Sequence, residues 1–357
     1  MGAFRLASGK MTDKKNNSTT YIKLSEDNSK ITIQDVADAL GISKTTVSRA
    51  ISGKGRIGEE TRSRVMEYIE QYGYKPNPIA KGLAQQRTYN IGWVMPGDSS
   101  ITDLPFFQKC MSGVSEEAAS ADYDVLLSMV YDHNISGLER MVKGSKVDGV
   151  ILGRTLVADE NVSYLKQSGI PFVVVGSTTQ SGVVQIDNDH VNACKELIMA
   201  IASKGAERFV LIGGSDEHVV NMSRRKGFEL GISESGCSLN DQIIYMNSDN
   251  EKAVREAVAV AVSNSADCIV CMDDKICNMV MEYLNNSNIA IPDTIKVASF
   301  YNSEMVTKWT PKITAIQFNP KSLGATACKM LLSYINGEQV PEKTLMKYDI
   351  FINKSTG

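Results

Sequence analysis

Histidine is scarce in this chain. Only three occur in 357 residues, His133, His190 and His218. None stands at a spacing that gathers metal ligands or sets a base beside a nucleophile, which argues against a metal site and against histidine-based catalysis. The seven cysteines (110, 194, 237, 268, 271, 277 and 328) are odd in number and scattered, so no disulfide framework is expected. Cys268-x-x-Cys271 has a redox-like spacing but lies inside the apolar run Cys268-Ile269-Val270-Cys271-Met272, where both thiols read as core residues. Thiol usage of this kind suits a reducing cytoplasm. No run of apolar residues approaches the length of a membrane span, and residues 1–30 lack the apolar centre of a signal peptide. Gly-x-Gly-x-x-Gly and Gly-x-x-x-x-Gly-Lys-Ser/Thr are both missing, and Gly213-Gly214-Ser215 is too short to replace them. The chain is therefore expected to be no enzyme and to carry no cofactor.

What is present begins at Thr32. The stretch Thr32 to Arg49 describes two short helices joined by a turn. Ile33, Val36, Ala37 and Leu40 recur at helical spacing, Gly41 suits a left-handed helix end, and Ser43 is a good N-cap for a second helix over about 44–52. Val47 and Ala50 face inward, which leaves Lys44, Thr45, Ser48 and Arg49 outward. A helix lying in the major groove reads bases with outward hydrogen-bonding residues near its N-terminus. The stretch thus predicts a DNA-reading helix-turn-helix, the alternative being an ordinary amphipathic hairpin. Lys44, Thr45 and Arg49 are the candidates for base edges; Thr32, Gln34, Ser43, Thr46 and Ser48 are expected at phosphates or caps. Residues 59–72 predict a third amphipathic helix with Val65, Ile69 and Tyr72 inward, followed by Tyr74-Lys75-Pro76-Asn77-Pro78 and Ile79-Ala80-Lys81-Gly82-Leu83-Ala84.

This order closely resembles the lactose/galactose-repressor family of bacterial transcription regulators, from about Ile31 to the C-terminus. The resemblance implies a hinge helix over Pro78 to Ala84, ordered only on operator DNA, with Asn77, Ala80 and Leu83 at the DNA and Leu83 wedged into the minor groove. Interdomain packing is the plainer role for Leu83. Gly82 departs from a good hinge helix and makes ordering costlier by about 1 kcal/mol. Charge agrees with the division: residues 1–30 and 31–90 each carry +3 and the remainder −9, against −3 for the whole. Basic groups neutralise phosphates, while an acidic body repels DNA except where the head is presented. Residues 1–30 are polar and aperiodic and are expected to be disordered. The domain reading is a leader over 1–30, helix-turn-helix over 31–76, hinge over 77–90 and effector body over 91–357.

From residue 89 onward, apolar strand-like runs alternate with helical patterns, which predicts an α/β body of parallel sheets flanked by helices. Its length suits two lobes, here 91–190 with 319–346 and 191–318 with 347–354, and the resemblance implies a periplasmic-binding-protein-like fold. Strands are expected at, among others, Gly182–Ile186, Cys268–Met272 and Lys347–Ile352, with helices at Asn192–Lys204 and Ser223–Ser233 among others. Ligands in such sheets sit beyond the carboxyl ends of strands. By that rule and by resemblance, Phe106, Phe107, Arg224, Asp273 and Tyr301 are the candidate effector residues. The aromatics would face a sugar or a flat base, and Arg224 would fork onto hydroxyls. Asp273 is expected to face the ligand while Asp274 caps the next helix; Arg225 reads as solvated, and Arg154 as either a cleft or a surface residue. Tyr301 stands where many relatives carry a carboxylate or amide, and Ala298-Ser299-Phe300-Tyr301-Asn302-Ser303 is more similar to maltose-type regulators.

The reading that unites these features is a repressor binding a palindromic operator as a homodimer, controlled by a small polar effector of sugar type. With no leucine heptads behind the last strand, a tetramer is not expected. Two alternatives stand beside it: a carbon-catabolite regulator controlled by a phosphorylated carrier protein, and a sugar-binding protein without DNA function.

Overall fold

The computed structural model describes residues 31–53, 55–75, 82–83, 85–97, 105–131 and 134–357. The proposed leader over 1–30, Asn77 and Ala80 lie outside them. The chain divides into one unit ending at Lys81 and another beginning at Gly82.

The first unit holds α1 (Ile33–Leu40), α2 (Lys44–Ser52) and α3 (Glu59–Tyr72). Thr32 and Asp35 form a reciprocal capping box at the start of α1, and Gly41 ends it at φ 65°. Ser43 caps α2 by accepting from the Thr46 amide at 3.1 Å. Val36, Ala37, Val47, Ala50 and Val65 close a small core, with Ile33, Leu40, Ile42 and Ile69 half-buried around it. Tyr72 corrects the sequence reading: it is 49 % exposed, and Tyr74 fills the core instead at 7 %. The cause is Gly73, whose φ of 63° reverses the chain so that the Tyr74 amide donates to the Ile69 carbonyl.

The second unit contains two six-stranded sheets. The first is built from β1 (Asn90–Pro96), β2 (Asp124–Val130), β3 (Gly149–Leu152), β4 (Phe172–Val175), β5 (Gln185–Asn188) and β11 (Lys343–Met346), in the order 11-5-4-3-1-2 and parallel throughout. The second is built from β6 (Phe209–Ile212), β7 (Ile243–Tyr245), β8 (Cys268–Cys271), β9 (Lys296–Ser299), β10 (Thr314–Gln317) and β12 (Asp349–Phe351), in the order 12-10-9-8-6-7. Only β12 runs antiparallel to its neighbour there. The strands β3, β4 and β8 are buried at every position, as unbroken apolar runs covered on both faces by helices require. Cys268 and Cys271 are both buried free thiols of β8.

Of the covering helices, α4 (Pro105–Ser120) and α12 (Pro320–Ile335) lie on the first sheet. On the second lie α7 (His190–Ala202) and α8 (Val219–Glu234) on one side, α9 (Glu251–Ser263) and α10 (Asp274–Asn286) on the other. Two short polar helices that the sequence reading passed over, α5 (Ser136–Lys143) and α6 (Glu160–Ser168), cover the outer side of the first sheet.

Some boundaries need correction. The strand read at Gly182–Ile186 lies at Gln185–Asn188, because Gly182 turns at φ 68°. The helices read from Asn192 and Ser223 begin earlier, at His190 and Val219. The final strand read at Lys347–Ile352 is β12, shortened to Asp349–Phe351, and β11 just before it, which joins the other sheet, was not read. The chain therefore passes between the lobes three times: between β5 and α7, between β10 and α12, and between β11 and β12.

Candidate functional site

The first unit presents one polar helical face. Lys44, Thr45, Ser48 and Arg49 of α2 are exposed, while Val47 and Ala50 on the opposite side are buried. Ser43 and Thr46 are occupied with capping, their hydroxyl oxygens 2.9 Å apart. Thr32 is held by Asp35, and Gln34 donates to Asp38 at 2.6 Å. Gly55 sits beside Arg49, where an added β-carbon would stand 3.3 Å from the arginine Cδ. A side chain at Gly55 would thus crowd the stem of Arg49, which remains exposed. Leu83 is 83 % exposed.

In the second unit the carboxyl ends of the strands face one another across a cavity of about 200 Å³. Phe106, Phe107, Arg224, Asp273 and Tyr301 all line it. Phe107 is 6 % exposed and belongs to the first lobe's core, and Phe106 meets it edge-on at 5.2 Å while also approaching Tyr301 at 6.2 Å. Tyr301 in turn lies parallel to Phe318. Its backbone is fixed by the Ser299 hydroxyl, which donates to the Tyr301 carbonyl at 2.8 Å. Burial holds the Tyr301 phenol well above its ordinary value, so it stays protonated. Arg224 projects from α8, only 8 % exposed, with Nη1 donating to the Met272 carbonyl at 2.8 Å.

The capping role read for Asp274 belongs to Asp273, the N-cap of α10, which accepts from the Ile276 amide at 2.8 Å. Asp274 is the first residue of the helix and 2 % exposed, with one carboxylate oxygen unpartnered. Both aspartates line the cavity. Burial raises the Asp273 carboxyl above the usual range, against the Ile276 hydrogen bond.

Other lining residues escaped the sequence reading. Asp187 and Asn188 end β5, His190 opens α7, and all three are buried. Asp187 accepts from the Ser177 hydroxyl and the Asn188 amide, each at 2.8 Å, and lies 3.5 Å from His190 Nε2. Burial lowers the His190 pKa despite Asp187, and Arg224 adds to the lowering, so the ring is neutral. The rule of strand carboxyl ends selects these residues, but a strand ended at Ile186 and a helix begun at Asn192 stepped over them. Arg154 also lines the cleft, its Nη1 3.4 Å from His218 Nε2. Arg225 points elsewhere and pairs with Glu229 at 2.8 Å. Beside the cavity the lobes are stitched by backbone: the Val157 amide donates to Glu217 at 2.9 Å and the Val219 amide to Thr155 at 3.4 Å.

Among the described residues no group of histidine, cysteine and carboxylate side chains could hold a metal, and no helix is long and apolar enough to cross a membrane. What the cleft offers is a dry aromatic wall and polar groups without partners, the chemistry of binding rather than of bond breaking.

Comparison with known proteins places both units. Residues 32–77 match the model of bacterial regulatory proteins, lacI family. Residues 198–356 match that of the periplasmic binding protein-like domain. Catabolite control protein A of Staphylococcus aureus is 26 % identical over 321 residues, which cover 88 % of this chain and 96 % of that one. Among solved structures, a probable maltose operon transcriptional repressor of Staphylococcus aureus is 24 % identical, covering 76 % of this chain and 98 % of that one, with a TM-score of 0.70. The lac repressor dimer bound to operator and an anti-inducer is 19 % identical, covering 91 % and 99 %, with a TM-score of 0.74. These two share the fold.

Proposed function

Because this chain belongs to the lacI family of bacterial regulatory proteins and is a ligand-responsive, DNA-binding transcription regulator, we propose that it is a repressor that binds a palindromic operator as a homodimer and is controlled by an uncharged sugar in the interlobe cleft. One observation carries the effector reading: an aromatic wall and buried polar groups without partners converge on one cavity of about 200 Å³. Unsatisfied buried polar groups cost about 1–3 kcal/mol each unless a ligand completes them. The aromatic faces of Phe106 and Tyr301 suit the C–H side of a pyranose.

In the first unit, Lys44, Thr45 and Arg49 read base edges, while Thr32, Gln34, Ser43, Thr46 and Ser48 hold or cap near phosphates. Asn77, Ala80 and Leu83 are the hinge residues that the resemblance brings to the DNA. The symmetry of a two-fold dimer supports a palindromic site, since a single recognition helix reads only a few base pairs. The working compartment is the cytoplasm, where the DNA is. Control by a phosphorylated carrier protein has less support. Lys321 and Lys329, the basic residues beside α4, are paired with Glu116 and Glu117 at 2.8 and 3.6 Å, and a phosphoserine needs available cations.

The test uses the full chain and a duplex selected from a randomised pool. Arg49→Ala should cost about 1–3 kcal/mol on the selected duplex and far less on random DNA. Arg224→Ala should bind the selected duplex normally yet lose its response to maltose or whichever sugar in a panel releases the parent protein. Equal losses on both duplexes would reduce Arg49 to a phosphate contact, and an unchanged response would move the effector site elsewhere.

A further inference from the structure

Four side chains that line the cleft carry a buried nitrogen or oxygen with no hydrogen-bond partner among the described residues: Asn188 Oδ1, His190 Nδ1, Asp274 Oδ2 and Arg224 Nε. Each residue is at least nine-tenths buried, at 3, 5, 2 and 8 % exposure. They come from separate elements, the end of β5 and the starts of α7 and α10 with the middle of α8, yet they meet on one cavity. Such groups cost free energy in isolation, and several converging on one space describe the ligand that would satisfy them.

The signs of these atoms are unequal. Asn188 Oδ1 and Asp274 Oδ2 are acceptors by chemistry. His190 is made one by its surroundings: Asp187 lies on the Nε2 side at 3.5 Å, which places the ring proton there and leaves Nδ1 with its lone pair. Arg224 alone is a donor, and one of its five N–H groups, on Nη1, is given to the Met272 carbonyl. The charges around the cavity point the same way, with Asp187, Asp249, Asp273 and Asp274 against Arg154, Arg224 and Lys275. An anionic group on the ligand would meet buried acceptors and a carboxylate rather than the cluster of cationic donors that phosphate recognition requires.

Resting on the cleft as the effector site, we propose that His190, Asn188 and Asp274 form an acceptor triad that selects an uncharged ligand presenting at least three hydroxyl donors, and that excludes phosphorylated and carboxylated sugars. Within the triad His190 is the specificity-determining member, since its acceptor character depends on Asp187 and not on its own side-chain type.

Two measurements on the full chain decide it. The imidazole nitrogens are readable by 15N NMR, and with three histidines in the chain His190 is assigned by a His190→Gln control. A neutral ring protonated on Nε2 at pH 7 is expected; a charged ring or a proton on Nδ1 would overturn the triad. Melting temperature is then followed with glucose, maltose and cellobiose against glucose 6-phosphate, maltose 6-phosphate and gluconate. At least one neutral sugar should stabilise the protein and no anionic one should. Asp274→Asn, nearly identical in shape, should weaken the stabilising sugar about tenfold or more, the loss of one buried charge-assisted hydrogen bond. Stabilisation by an anionic sugar that Arg224→Ala abolishes would keep the cleft and overturn the selection rule. A neutral sugar whose effect survives Arg224→Ala would overturn the cleft, and a panel with no binder would overturn both.

Discussion

At the scale of single residues, His190 shows how burial turns a titratable group into a stability switch. Desolvation depresses its pKa below the ordinary histidine value, with Asp187 opposing and Arg224 reinforcing the shift. A folded-state value below the unfolded one means that the unfolded chain binds the extra proton first. The cost is therefore absent above the ordinary value of about 6.5 and grows as pH falls below it toward the folded value. The second unit should lose melting temperature as pH drops from about 7 into that range, and His190→Gln should flatten this part of the profile. An unchanged slope in the variant would assign the acid sensitivity to other groups. Legibility at this scale was partial. Arg224, Asp273 and Tyr301 could be named because each follows a strong strand and a recognisable short motif. Asn188 and His190 could not, because three of the four residues of β5 (Gln185-Ile186-Asp187-Asn188) are polar and its apolar signal stops before the residues that matter.

At the scale of elements, the first lobe depends on two helices brought unusually close. Both α4 and α12 carry a glycine at their crossing, Gly113 and Gly324. A β-carbon on Gly113 would stand 2.0 Å from the Lys321 carbonyl oxygen, and one on Gly324 would stand 2.0 Å from that of Cys110. Backbone cannot yield as a flexible side chain does, so the helices must separate. Gly324→Ala should destabilise the second unit by about 1–3 kcal/mol, the usual cost of overpacking, even though alanine is the better helix former. A chemical denaturation midpoint reports it, and a neutral or stabilising result would mean that the helices slide freely. This contact was invisible in the sequence, where a glycine within a helix does not say what it lies against. The helices themselves were legible, as were α1 to α3, because their apolar periodicity and caps agree. Strand β11 was not, since Lys343-Thr344-Leu345-Met346 pairs two polar with two apolar residues instead of alternating, and only its place beside β5 marks it as a strand.

For the whole molecule, the resemblance proposes that the segment holding Leu83 joins DNA to effector. A leucine left 83 % exposed has little to lose by moving into a minor groove. Leu83→Ala should lower affinity for the selected duplex and reduce its bending together, with sugar affinity unchanged. Circular-permutation gel shifts read the bend, and a normal bend would leave Leu83 a surface residue. The two-lobed architecture was legible from strand and helix alternation over the body, and the expected lobe bounds, 91–190 with 319–346 and 191–318 with 347–354, themselves imply three interlobe passages.

One of those passages runs from β5 into α7, and it contains both Asn188 and His190. A ligand held there does not grip the ends of two jaws; it grips the pivot. A torque applied at a fulcrum acts on a short arm, and the far rims of both lobes multiply whatever angle it sets. Tightness of grip and angle of the jaws would then be coupled, because the residues that line the cavity stand where the chain crosses between the lobes. A regulator built this way would have no separate dial for how well it binds its effector and how loudly it answers.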